Sequence, residues 1–463
     1  MKRYGIVLAA GQGKRMKSRT YKVLHPVCGK PMVGHVTDAL KQAGIDRTLV
    51  IVGHGADAVR DYLGQQAEYV MQHEQLGTGH AVLQAAPILE SEDGMSIIVC
   101  GDTPLIQGET IRRLAEFHER SGAAATILTA EVDDPAGYGR IIRGDSGEVE
   151  RIVEHKDCNA AEAAVREINT GTYVFDNRKL FAALKQVTNN NAQGEYYLTD
   201  VFRILNESGE RIAALCIEDV AETIGVNDRL ALAEAERLMR ERILKRHMLN
   251  GVTILDPGHT YIESEVEIGM DTIIYPGSIL RGRTVIGEDC VIGPNAELSN
   301  SRIGDAVKIR YAVLEDASVD SRTSVGPYAY LRPGTAVGSD VKIGDFVELK
   351  NAKVGNGSKV PHLSYVGDAE VGEHVNIGCG AITANFDGVN KSRTIIKDHA
   401  FIGSNSNLIA PVTIGEGAYV VAGSTITHDV PDDAMAIARE RQTNKLGYAA
   451  RFRERMKSKK RES

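Results

Sequence analysis

The stretch IESEVEIGMDTIIYPGSILRGRTVIGEDCVIGPNAELS, residues 262–299, decides the fold of the second half of the chain. An aliphatic side chain returns in it at every sixth position, namely Ile262, Ile268, Ile274, Leu280, Ile286, Ile292 and Leu298. A six-residue period matches neither an α-helix nor simple strand alternation, and it is typical of hexapeptide parallel β-helices. In such a fold each hexapeptide forms one flat face, three faces close one coil, and the aliphatic side chain points into a narrow prism.

The period extends almost to the end of the chain, with one interruption. After a slip of one residue it continues through Ile303, Ile309, Val319, Val325, Leu331, Val337, Ile343, Leu349, Val360, Val366, Val371, Ile377, Ile396, Ile402, Leu408, Ile414, Val420 and Ile426. Between Ile382 and Ile396 the stretch TANFDGVNKSRT suspends it. Because loops on a rigid solenoid carry the variable chemistry, we expect this insertion to be functional.

Composition and charge exclude several classes of protein. The 463 residues correspond to two or three domains, and 43% apolar with 25% charged residues is typical of a globular protein. A net charge of −8 argues against a chain that coats nucleic acid or an anionic membrane. No apolar run reaches the ~18 residues of a transmembrane helix, and the first residues contain no secretory cleavage site. The widely separated cysteines suggest free thiols rather than zinc or disulfides. These features predict a cytoplasmic protein without a nucleic-acid partner.

The first half alternates buried-type strands with helix-compatible segments. Strands are expected at residues 4–8, 47–52, 68–71, 95–100 and 124–129. This βαβ pattern predicts a mostly parallel, doubly wound α/β sheet of the Rossmann-like type.

A helix is expected to join the two halves. Residues 229–248 are rich in helix formers, Asn227 and Asp228 provide a start signal, and one apolar stripe is formed by Leu232, Ala235, Met239 and Ile243. We therefore divide the chain into an α/β domain (1–228), a linker helix (229–250) and a left-handed parallel β-helix with a basic C-terminal arm (251–463).

The first predicted strand runs directly into the glycine loop Leu8-Ala9-Ala10-Gly11-Gln12-Gly13-Lys14-Arg15-Met16. Glycines at a strand-to-helix turn let backbone N–H groups approach a phosphate, and a following helix N-terminus adds a favourable dipole. Two better-known phosphate loops do not fit, since a dinucleotide-binding loop needs glycine at Met16 and a P-loop needs Ser or Thr at Arg15. Arg15 and Lys22, close behind the loop, favour phosphate binding.

With K-x-L following at Lys22, this loop resembles the signature of sugar-1-phosphate nucleotidyltransferases. Further stretches that fit this family are 75–81, 100–105, 138–140, 153–156, 168–171 and 225–228. Gly79 stands where the family more commonly has alanine, and we expect the loss of one methyl group to matter little. The resemblance implies that UTP and the sugar nucleotide contact Leu8, Ala9, Ala10, Gly11, Lys22, Gln72, Gly77, Thr78, Gly139, Glu154, Asn169 and Asn227.

Transfer between phosphates brings anions together and therefore needs a hard cation and fixed positive side chains. The same resemblance implies that Asp102 and Asn227 hold Mg²⁺, while Lys22 and Arg15 bind and polarise the triphosphate as catalytic residues. Taken alone, Asp102 is at least as consistent with a strand-end cap, and Asn227 fits a helix cap better than a metal ligand. No general base is required, because the attacking phosphate is already ionised.

The β-helix half resembles the hexapeptide acyltransferases, and the order of the two halves resembles the bacterial bifunctional enzymes that make UDP-N-acetylglucosamine. His362, within the stretch PHLSY, matches the catalytic base, and imidazole titrates in the range suited to deprotonating an amine near neutral pH. The resemblance implies that the acetyltransferase sugar phosphate contacts Arg332, Lys350, Tyr365 and Asn376. It also implies acetyl-CoA contacts at Asn385, Phe386, Ser404, Ala422 and Arg439. Phe386 departs from the family, which often has Tyr there.

The first hypothesis is therefore a bifunctional enzyme. It would acetylate glucosamine 1-phosphate with acetyl-CoA, then transfer UMP from UTP to N-acetylglucosamine 1-phosphate with release of pyrophosphate, supplying peptidoglycan and other envelope polymers. A sugar-nucleotide-binding regulatory subunit would carry lesions at the charged positions, yet all of these are intact: Lys22, Asp102, Asn227, His362 and Arg439. A one-activity nucleotidyltransferase with a hexapeptide tail would lack the set formed by His362, Lys350 and Asn385.

Assembly follows from the prism shape. One flat face offers little concavity for a coenzyme as long as acetyl-CoA, whereas the grooves between packed prisms do. Three-fold packing closes without open ends, as the resemblance to trimeric hexapeptide enzymes also implies. We predict a homotrimer whose acetyltransferase sites combine residues of different chains.

Overall fold

The protein, seen in a computed structural model that describes residues 1–145 and 147–462, divides into two compact units. The first, here called the α/β unit, contains Met1–Arg246 and Ile262–Ser264. The second, the β-helix unit, contains His247–Tyr261 and the residues from Glu265 onward. Among the described residues no helix is long and apolar enough to span a membrane.

The α/β unit is built on one twisted sheet in the order β11-β7-β10-β6-β1-β4-β5. Its strands, with a small separate ribbon of β2 and β3, are β1 Arg3–Ala9, β2 Pro26–Val27, β3 Lys30–Pro31, β4 Arg47–Val52, β5 Glu68–Met71, β6 Met95–Cys100, β7 Ala125–Glu131, β8 Gly139–Arg143, β9 Val149–Val153, β10 Glu167–Asp176 and β11 Ile212–Ile217. Strand β10 is antiparallel to its neighbours β6 and β7, and β8 and β9 extend from it as a hairpin.

Helices cover both faces of this sheet. They are α1 Met32–Gln42, α2 Ala56–Leu63, α3 Thr78–Leu83, α4 Ala86–Leu89, α5 Gly108–Ser121, α6 Ala160–Ala163, α7 Asn177–Leu184 and α8 Asp200–Glu207, with 3₁₀ turns at Lys14–Met16, Lys22–Leu24, Gly64–Gln66, His155–Asp157 and Val220–Thr223. Alternate residues of one strand enter different cores, since Ile6 packs on one face and Val7 on the other. Burial on both faces explains why the strands read as unbroken apolar runs, and the doubly wound prediction is confirmed.

Helix α9, Arg229–Leu249, packs chiefly as part of the α/β unit, which extends to Arg246 rather than to the predicted 228. Its Glu236 carboxylate accepts a hydrogen bond from the backbone N–H of Cys28 at 2.6 Å, and Arg242 donates to the carbonyl of Leu105 at 2.8 Å. The stripe residues Ala235 and Met239 are buried. The two hydrogen bonds therefore anchor α9 to the α/β unit, and its apolar stripe is shielded from solvent.

The β-helix unit consists of short parallel strands that stack on three faces. The first face contains Thr253–Ile254, Ile273–Ile274, Val291–Ile292, Lys308–Ile309, Ser324–Val325, Lys342–Asp345, Lys359–His362, Asn376–Ile377, Phe401–Ile402, Tyr419–Val420 and Met435–Ala436. The second contains Tyr261–Ile262, Ile279–Arg281, Glu297–Ser299, Ala312–Glu315, Ala329–Leu331, Glu348–Lys350, Tyr365–Gly367, Ile382–Ala384, Asn407–Ile409 and Thr425–Ile426. The third contains Glu267–Ile268, Val285–Ile286, Arg302–Ile303, Ser318–Val319, Ala336–Val337, Lys353–Val354, Ala369–Val371, Thr394–Ile396 and Val412–Ile414.

The repeat works as the six-residue period predicts. Its aliphatic positions are almost all buried, with Ile274, Leu280 and Ile292 fully excluded from solvent. The left-handed parallel β-helix of hexapeptide repeats is therefore confirmed. A 3₁₀ turn at Pro257–His259 and a C-terminal helix, α10 Tyr448–Glu462, lie outside the repeat.

Each coil turns at corners where the backbone adopts a left-handed conformation. In the coil that carries His362, Leu363 marks the corner between the first and second faces, and Asp368 marks the corner between the second and third. Asn300, Asp316 and Asn351 occupy the Asp368 corner in earlier coils, with φ of 47°, 43° and 45°. Asparagine and aspartate tolerate this conformation better than other side-chain-bearing residues.

Candidate active sites

The glycine loop lines a cavity of about 490 Å³ at the carboxyl end of β1. Gly13 has φ of +61°, and a Cβ there would lie 2.6 Å from the Cβ of Lys22, so both the backbone and the space require glycine. The prediction that a helix dipole assists phosphate binding is wrong, because the loop is followed by the three-residue 3₁₀ turn Lys14–Met16 and not by an α-helix. The cavity is lined by Leu8, Ala9, Ala10, Gly11, Gln12, Lys14, Lys22, Val23, Gln72, Gln75, Gly77, Thr78, Ala81, Cys100, Asp102 and Glu195.

A polar cluster at this cavity joins the predicted cations to the predicted metal ligands. Lys22 Nζ forms an ion pair with the Asp102 carboxylate and donates to Asn227 Oδ1 at 2.7 Å. Arg15 Nη2 donates to the same Asn227 oxygen at 2.9 Å. The side chain of Asp228, not that of Asn227, caps helix α9 by accepting from the N–H of Ala231 at 2.9 Å. The Asn227 amide oxygen is therefore turned toward the cavity cluster.

A second cavity of about 230 Å³ adjoins the first, and both are lined by Leu8, Thr78 and Cys100. Burial raises the pKa of the Cys100 thiol to about 12, which keeps this shared position neutral. The second cavity is further lined by Gly137, Tyr138, Gly139, Glu154, Asn169, Thr170, Gly171, Tyr173, Leu198 and Thr199. It thus brings together Gly139, Glu154 and Asn169, the three residues predicted to bind the sugar.

Polar side chains in the second cavity are held in place by their neighbours. Asn169 donates from Nδ2 to the Tyr173 hydroxyl at 2.8 Å, and Glu154 Oε1 accepts from the Thr199 hydroxyl at 3.2 Å. Burial raises the pKa of Glu154, although the hydrogen bond from Thr199 opposes this effect. Tyr173 and Thr199 were missed from the sequence because they carry no recognisable motif.

Gly79 lies in a closely packed segment beside the first cavity. Gln72 Nε2 donates to the carbonyl of Gly77 at 3.2 Å, and the N–H of Gly79 donates to the carbonyl of Tyr196 at 2.8 Å. A Cβ on Gly79 would lie 3.0 Å from that Tyr196 oxygen and 3.2 Å from the Tyr197 carbonyl. The segment at Tyr196 and Tyr197 thus packs closely against the glycine backbone, and an alanine here would require that segment to shift by a few tenths of an ångström.

In the β-helix unit, His362 ends a first-face strand and is oriented by a carboxylate. Its Nδ1 lies 2.7 Å from Asp345 Oδ1, and the two residues are register partners on adjacent coils. The hydrogen bond from His362 lowers the pKa of Asp345, so the carboxylate is ionised at neutral pH. An ionised acceptor at Nδ1 fixes the proton there and leaves Nε2 with its lone pair. Asp345 was missed from the sequence, although its separation of 17 residues from His362 is one coil.

The second face carries the cations assigned to the sugar phosphate. The Arg332 side chain donates to Glu348 Oε1 at 2.8 Å. The backbone N–H of Arg332 donates to the Leu349 carbonyl, so Arg332 lies one coil below Lys350. Lys350 in turn is the register partner of Gly367. A Cβ on Gly367 would collide with the Tyr365 hydroxyl, so the Tyr365 ring lies along this face toward the Lys350 edge.

Asn376 lies on the first face instead, as the register partner of Lys359 and Phe401. The predicted acetyl-CoA residues are divided in the same way. The register stacks Ser404 and Ala422 on the coils above His362, and Arg439 Cδ lies 3.8 Å from a Cβ built on Gly423. Asn385 and Phe386 instead follow the second face at its other edge, where Asn385 is buried and Phe386 is 58% exposed. Within the described chain these two groups stand at different corners of one prism.

Comparisons with known proteins assign a transferase family to each half of the chain. The family described as Nucleotidyl transferase matches residues 4–235, and Bacterial transferase hexapeptide (six repeats) matches residues 265–300 and 393–428. The fold and its sites thus define a transferase with a nucleotidyltransferase half and a hexapeptide half. A solved UDP-glucose pyrophosphorylase complexed with UDP-glucose aligns with 52% of this chain and 100% of its own at TM-score 0.44 and 19% identity.

Curated relatives named Bifunctional protein GlmU match along nearly the whole chain. The protein of Geobacillus sp. (strain WCH70) is 59% identical over 98% of both chains, and that of Geobacillus thermodenitrificans is 59% identical over 99% of this chain and 100% of its own. The protein of Brevibacillus brevis is 60% identical over 96% of this chain and 97% of its own. The chain belongs to the family of bifunctional GlmU proteins. The prediction of a bifunctional uridyltransferase and acetyltransferase of UDP-N-acetylglucosamine biosynthesis is confirmed.

Proposed function

We propose that the β-helix unit acetylates glucosamine 1-phosphate with acetyl-CoA and that the α/β unit then transfers UMP from UTP to the resulting N-acetylglucosamine 1-phosphate. The observation that carries this proposal is the pair of adjoining cavities, with Lys22 and Asp102 in the first and Glu154 and Asn169 in the second. A nucleotide and a sugar can lie end to end across their shared wall. The products are UDP-N-acetylglucosamine, a precursor of peptidoglycan and other envelope polymers, and pyrophosphate.

In uridylyl transfer the phosphate of the sugar attacks the α-phosphorus of UTP, forming one P–O bond as the bond to pyrophosphate breaks. Lys22 and Arg15 bind and orient the triphosphate, while loop N–H groups beside Gly11 approach it closely. Asp102 and Asn227 fit a magnesium site, because each offers a hard oxygen and both oxygens reach the same ammonium group. When bound, Mg²⁺ neutralises the phosphate charge that develops during transfer.

Substrate recognition in the α/β unit is divided between the two cavities. Gln72, Gly77 and Thr78 line the first cavity and read the nucleobase, while Leu8 contacts the nucleotide across the shared wall. Glu154 and Asn169 hydrogen-bond the sugar hydroxyl and acetamido groups, and the small Gly139 admits the ring. The tether of Glu154 to Thr199 fixes the carboxylate before substrate binds.

In acetyl transfer the amine of glucosamine 1-phosphate attacks the thioester carbon. An N–C bond forms, the C–S bond breaks, and His362 Nε2 accepts the proton that the nitrogen loses and returns one to the departing CoA thiolate. Asp345 stabilises the imidazolium formed in between. The second-face strand Tyr365–Gly367 follows the corner after His362 and ends at Gly367, the register partner of Lys350.

We also propose that the active assembly is a homotrimer. Asn376, Ser404 and Ala422 lie on or beside the first face, whereas Lys350 and Tyr365 lie on the second. Packing the first face of one copy against the second face of another would bring these sets into one groove. In a closed three-fold assembly, the first face of each copy packs against the second face of its neighbour, so no such face is left uncovered. The assembly works in the cytoplasm, where UTP and acetyl-CoA are available.

One reconstitution tests the proposed function. Purified protein is incubated with glucosamine 1-phosphate, acetyl-CoA, UTP and Mg²⁺, and CoA, pyrophosphate and UDP-N-acetylglucosamine are quantified. We expect all three products to form. We also expect UDP-N-acetylglucosamine and pyrophosphate to form when N-acetylglucosamine 1-phosphate is supplied in place of glucosamine 1-phosphate and acetyl-CoA. Binding of UTP and acetyl-CoA without product would instead indicate a regulatory subunit, and uridylyl transfer alone would indicate a one-activity enzyme.

A further inference from the structure

Asp368 joins two groups that the proposed acetyl-transfer site assigns to different substrates. It is a buried carboxylate, 9% exposed, at the corner between the second and third faces. Its Oδ2 accepts hydrogen bonds from Lys350 Nζ at 3.4 Å and from Asn385 Nδ2. Lys350 is the proposed ligand of the sugar phosphate and Asn385 the proposed ligand of acetyl-CoA. A single oxygen atom therefore bridges the two substrate subsites.

The corner geometry makes this bridge depend on a carboxylate. Asn351, Asp368 and Asn385 occupy the same corner on consecutive coils, and Asn351 Nδ2 donates to Asp368 Oδ1 at 2.7 Å. Burial acts to raise the pKa of Asp368, but hydrogen bonds from Asn351, Asn385 and Lys350 outweigh it and hold the pKa below its ordinary value. The ionised group has acceptors on both oxygens, whereas an amide in its place would present one acceptor and one donor.

Asp368 also closes the base of the insertion that interrupts the repeat. Asn385 begins this loop one coil above Asp368, and the backbone N–H of Thr394, where the loop returns, donates to the Asp368 carbonyl at 3.2 Å. Inside the loop, the N–H of Ser392 donates to the Asn385 carbonyl at 2.9 Å. A change in the bond between Asp368 and Asn385 is thus transmitted to the loop that carries Phe386.

We propose that Asp368 is a positioning residue that couples the binding of the sugar phosphate to the binding of acetyl-CoA, an inference that rests on the proposed acetyl-transfer function. A phosphate that engages Lys350 draws the ammonium away from Asp368. The Asp368 Oδ2 is then left to Asn385 alone, which holds the loop in the arrangement that binds the coenzyme. Because binding linkage is reciprocal, each substrate tightens the binding of the other.

Full-length Asp368→Asn tests the coupling. The dissociation constant of CoA is measured calorimetrically with and without saturating glucosamine 1-phosphate, a pair that cannot react because no acetyl group is present. In the natural protein we expect the sugar phosphate to tighten CoA binding roughly fivefold, the lower end of typical allosteric coupling. In Asp368→Asn the two constants should be equal, the KM values for both acetyl-transfer substrates should rise about tenfold from the lost charged hydrogen bonds, and uridylyl transfer should be unchanged.

A matched control is Asp316→Asn, which changes an aspartate with left-handed backbone at the same corner of an earlier coil. It should keep the coupling, and thermal unfolding should show both variants folded. If Asp368→Asn does not fold, Asn385→Ala removes the other end of the bridge and should abolish the same coupling. Coupling that survives in either folded variant, or that is missing from an active natural protein, overturns the inference. Failure of the natural protein to acetylate glucosamine 1-phosphate would overturn the proposed function instead.

Discussion

Asp345→Asn isolates the contribution of the carboxylate that orients His362. In the natural protein the ionised Asp345 accepts the Nδ1 proton at 2.7 Å, which leaves His362 Nε2 free to act as a base. The amide has nearly the same shape but carries no charge. Its oxygen can still accept from Nδ1, more weakly, and its NH₂ group can donate to Nδ1 and thereby shift the ring proton to Nε2, where it blocks the reaction.

The size of the effect follows from the exposure of the pair. The His362 and Asp345 side chains are 53% and 40% exposed, so solvent screening weakens the hydrogen bond between them. We therefore expect kcat to fall roughly tenfold, which is less than the loss of about 10²-fold or more expected when the base itself is removed. We expect the KM for glucosamine 1-phosphate to change little, because neither side chain holds the phosphate.

The assay is the initial rate of CoA release near neutral pH, with uridylyl transfer measured on the same preparation. Asp340→Asn provides a matched control, since Asp340 pairs with Arg322 through two hydrogen bonds, at 2.8 and 2.6 Å, on the same β-helix unit. That variant should retain the full kcat. If Asp345→Asn keeps a kcat within about twofold of the natural protein while His362→Ala is inactive, Asp345 does not set the histidine tautomer and the reasoning fails.

Three further predictions concern the α/β unit. Glu154→Gln should raise the KM for N-acetylglucosamine 1-phosphate about tenfold at little cost in kcat, because a charged acceptor is replaced by a neutral one, and an unchanged KM would remove Glu154 from the sugar site. Burial lowers the pKa of His118 from 6.5 to about 4, so its stabilising contribution is complete above pH 6.5 and is lost as the pH falls toward 4. Urea unfolding should therefore show a loss of about 2 kcal/mol between pH 7.5 and 5 that His118→Gln lacks, whereas equal losses in both proteins would refute this assignment. A fragment of residues 1–246 should keep uridylyl transfer. A fragment of residues 1–228 lacks Glu236 and the buried stripe of α9, so it should unfold at a lower temperature than the longer fragment. Equal melting temperatures would refute the packing of α9.

The sequence predicted the features that depend on local periodicity. The six-residue repeat dictates which side chains enter the prism, so the β-helix follows from the positions of Ile274, Leu280 and their successors. The glycine loop could also be predicted, because Gly13 adopts a left-handed backbone conformation and lies too close to Lys22 for any side chain.

The sequence could not predict contacts that depend on which coil lies above which. Asp345 meets His362 and Asp368 meets Asn385 only because the coils between them take 17 residues, while other coils take 18 and one carries an insertion. Gly79 shows a similar limit. Its close contact is with Tyr196, which is distant in sequence and unmarked by any motif.

We propose that one chain carries two independent chemistries, one in each of its two units. The direct measurement is a crosswise assay of Asp102→Asn and His362→Ala, each tested for acetyl transfer and for uridylyl transfer. We predict that Asp102→Asn loses uridylyl transfer and keeps acetyl transfer, that His362→Ala does the reverse, and that a mixture of the two converts glucosamine 1-phosphate to UDP-N-acetylglucosamine. If either folded variant loses both activities or retains both, or if the mixture yields no product, the assignment of one reaction to each unit is contradicted.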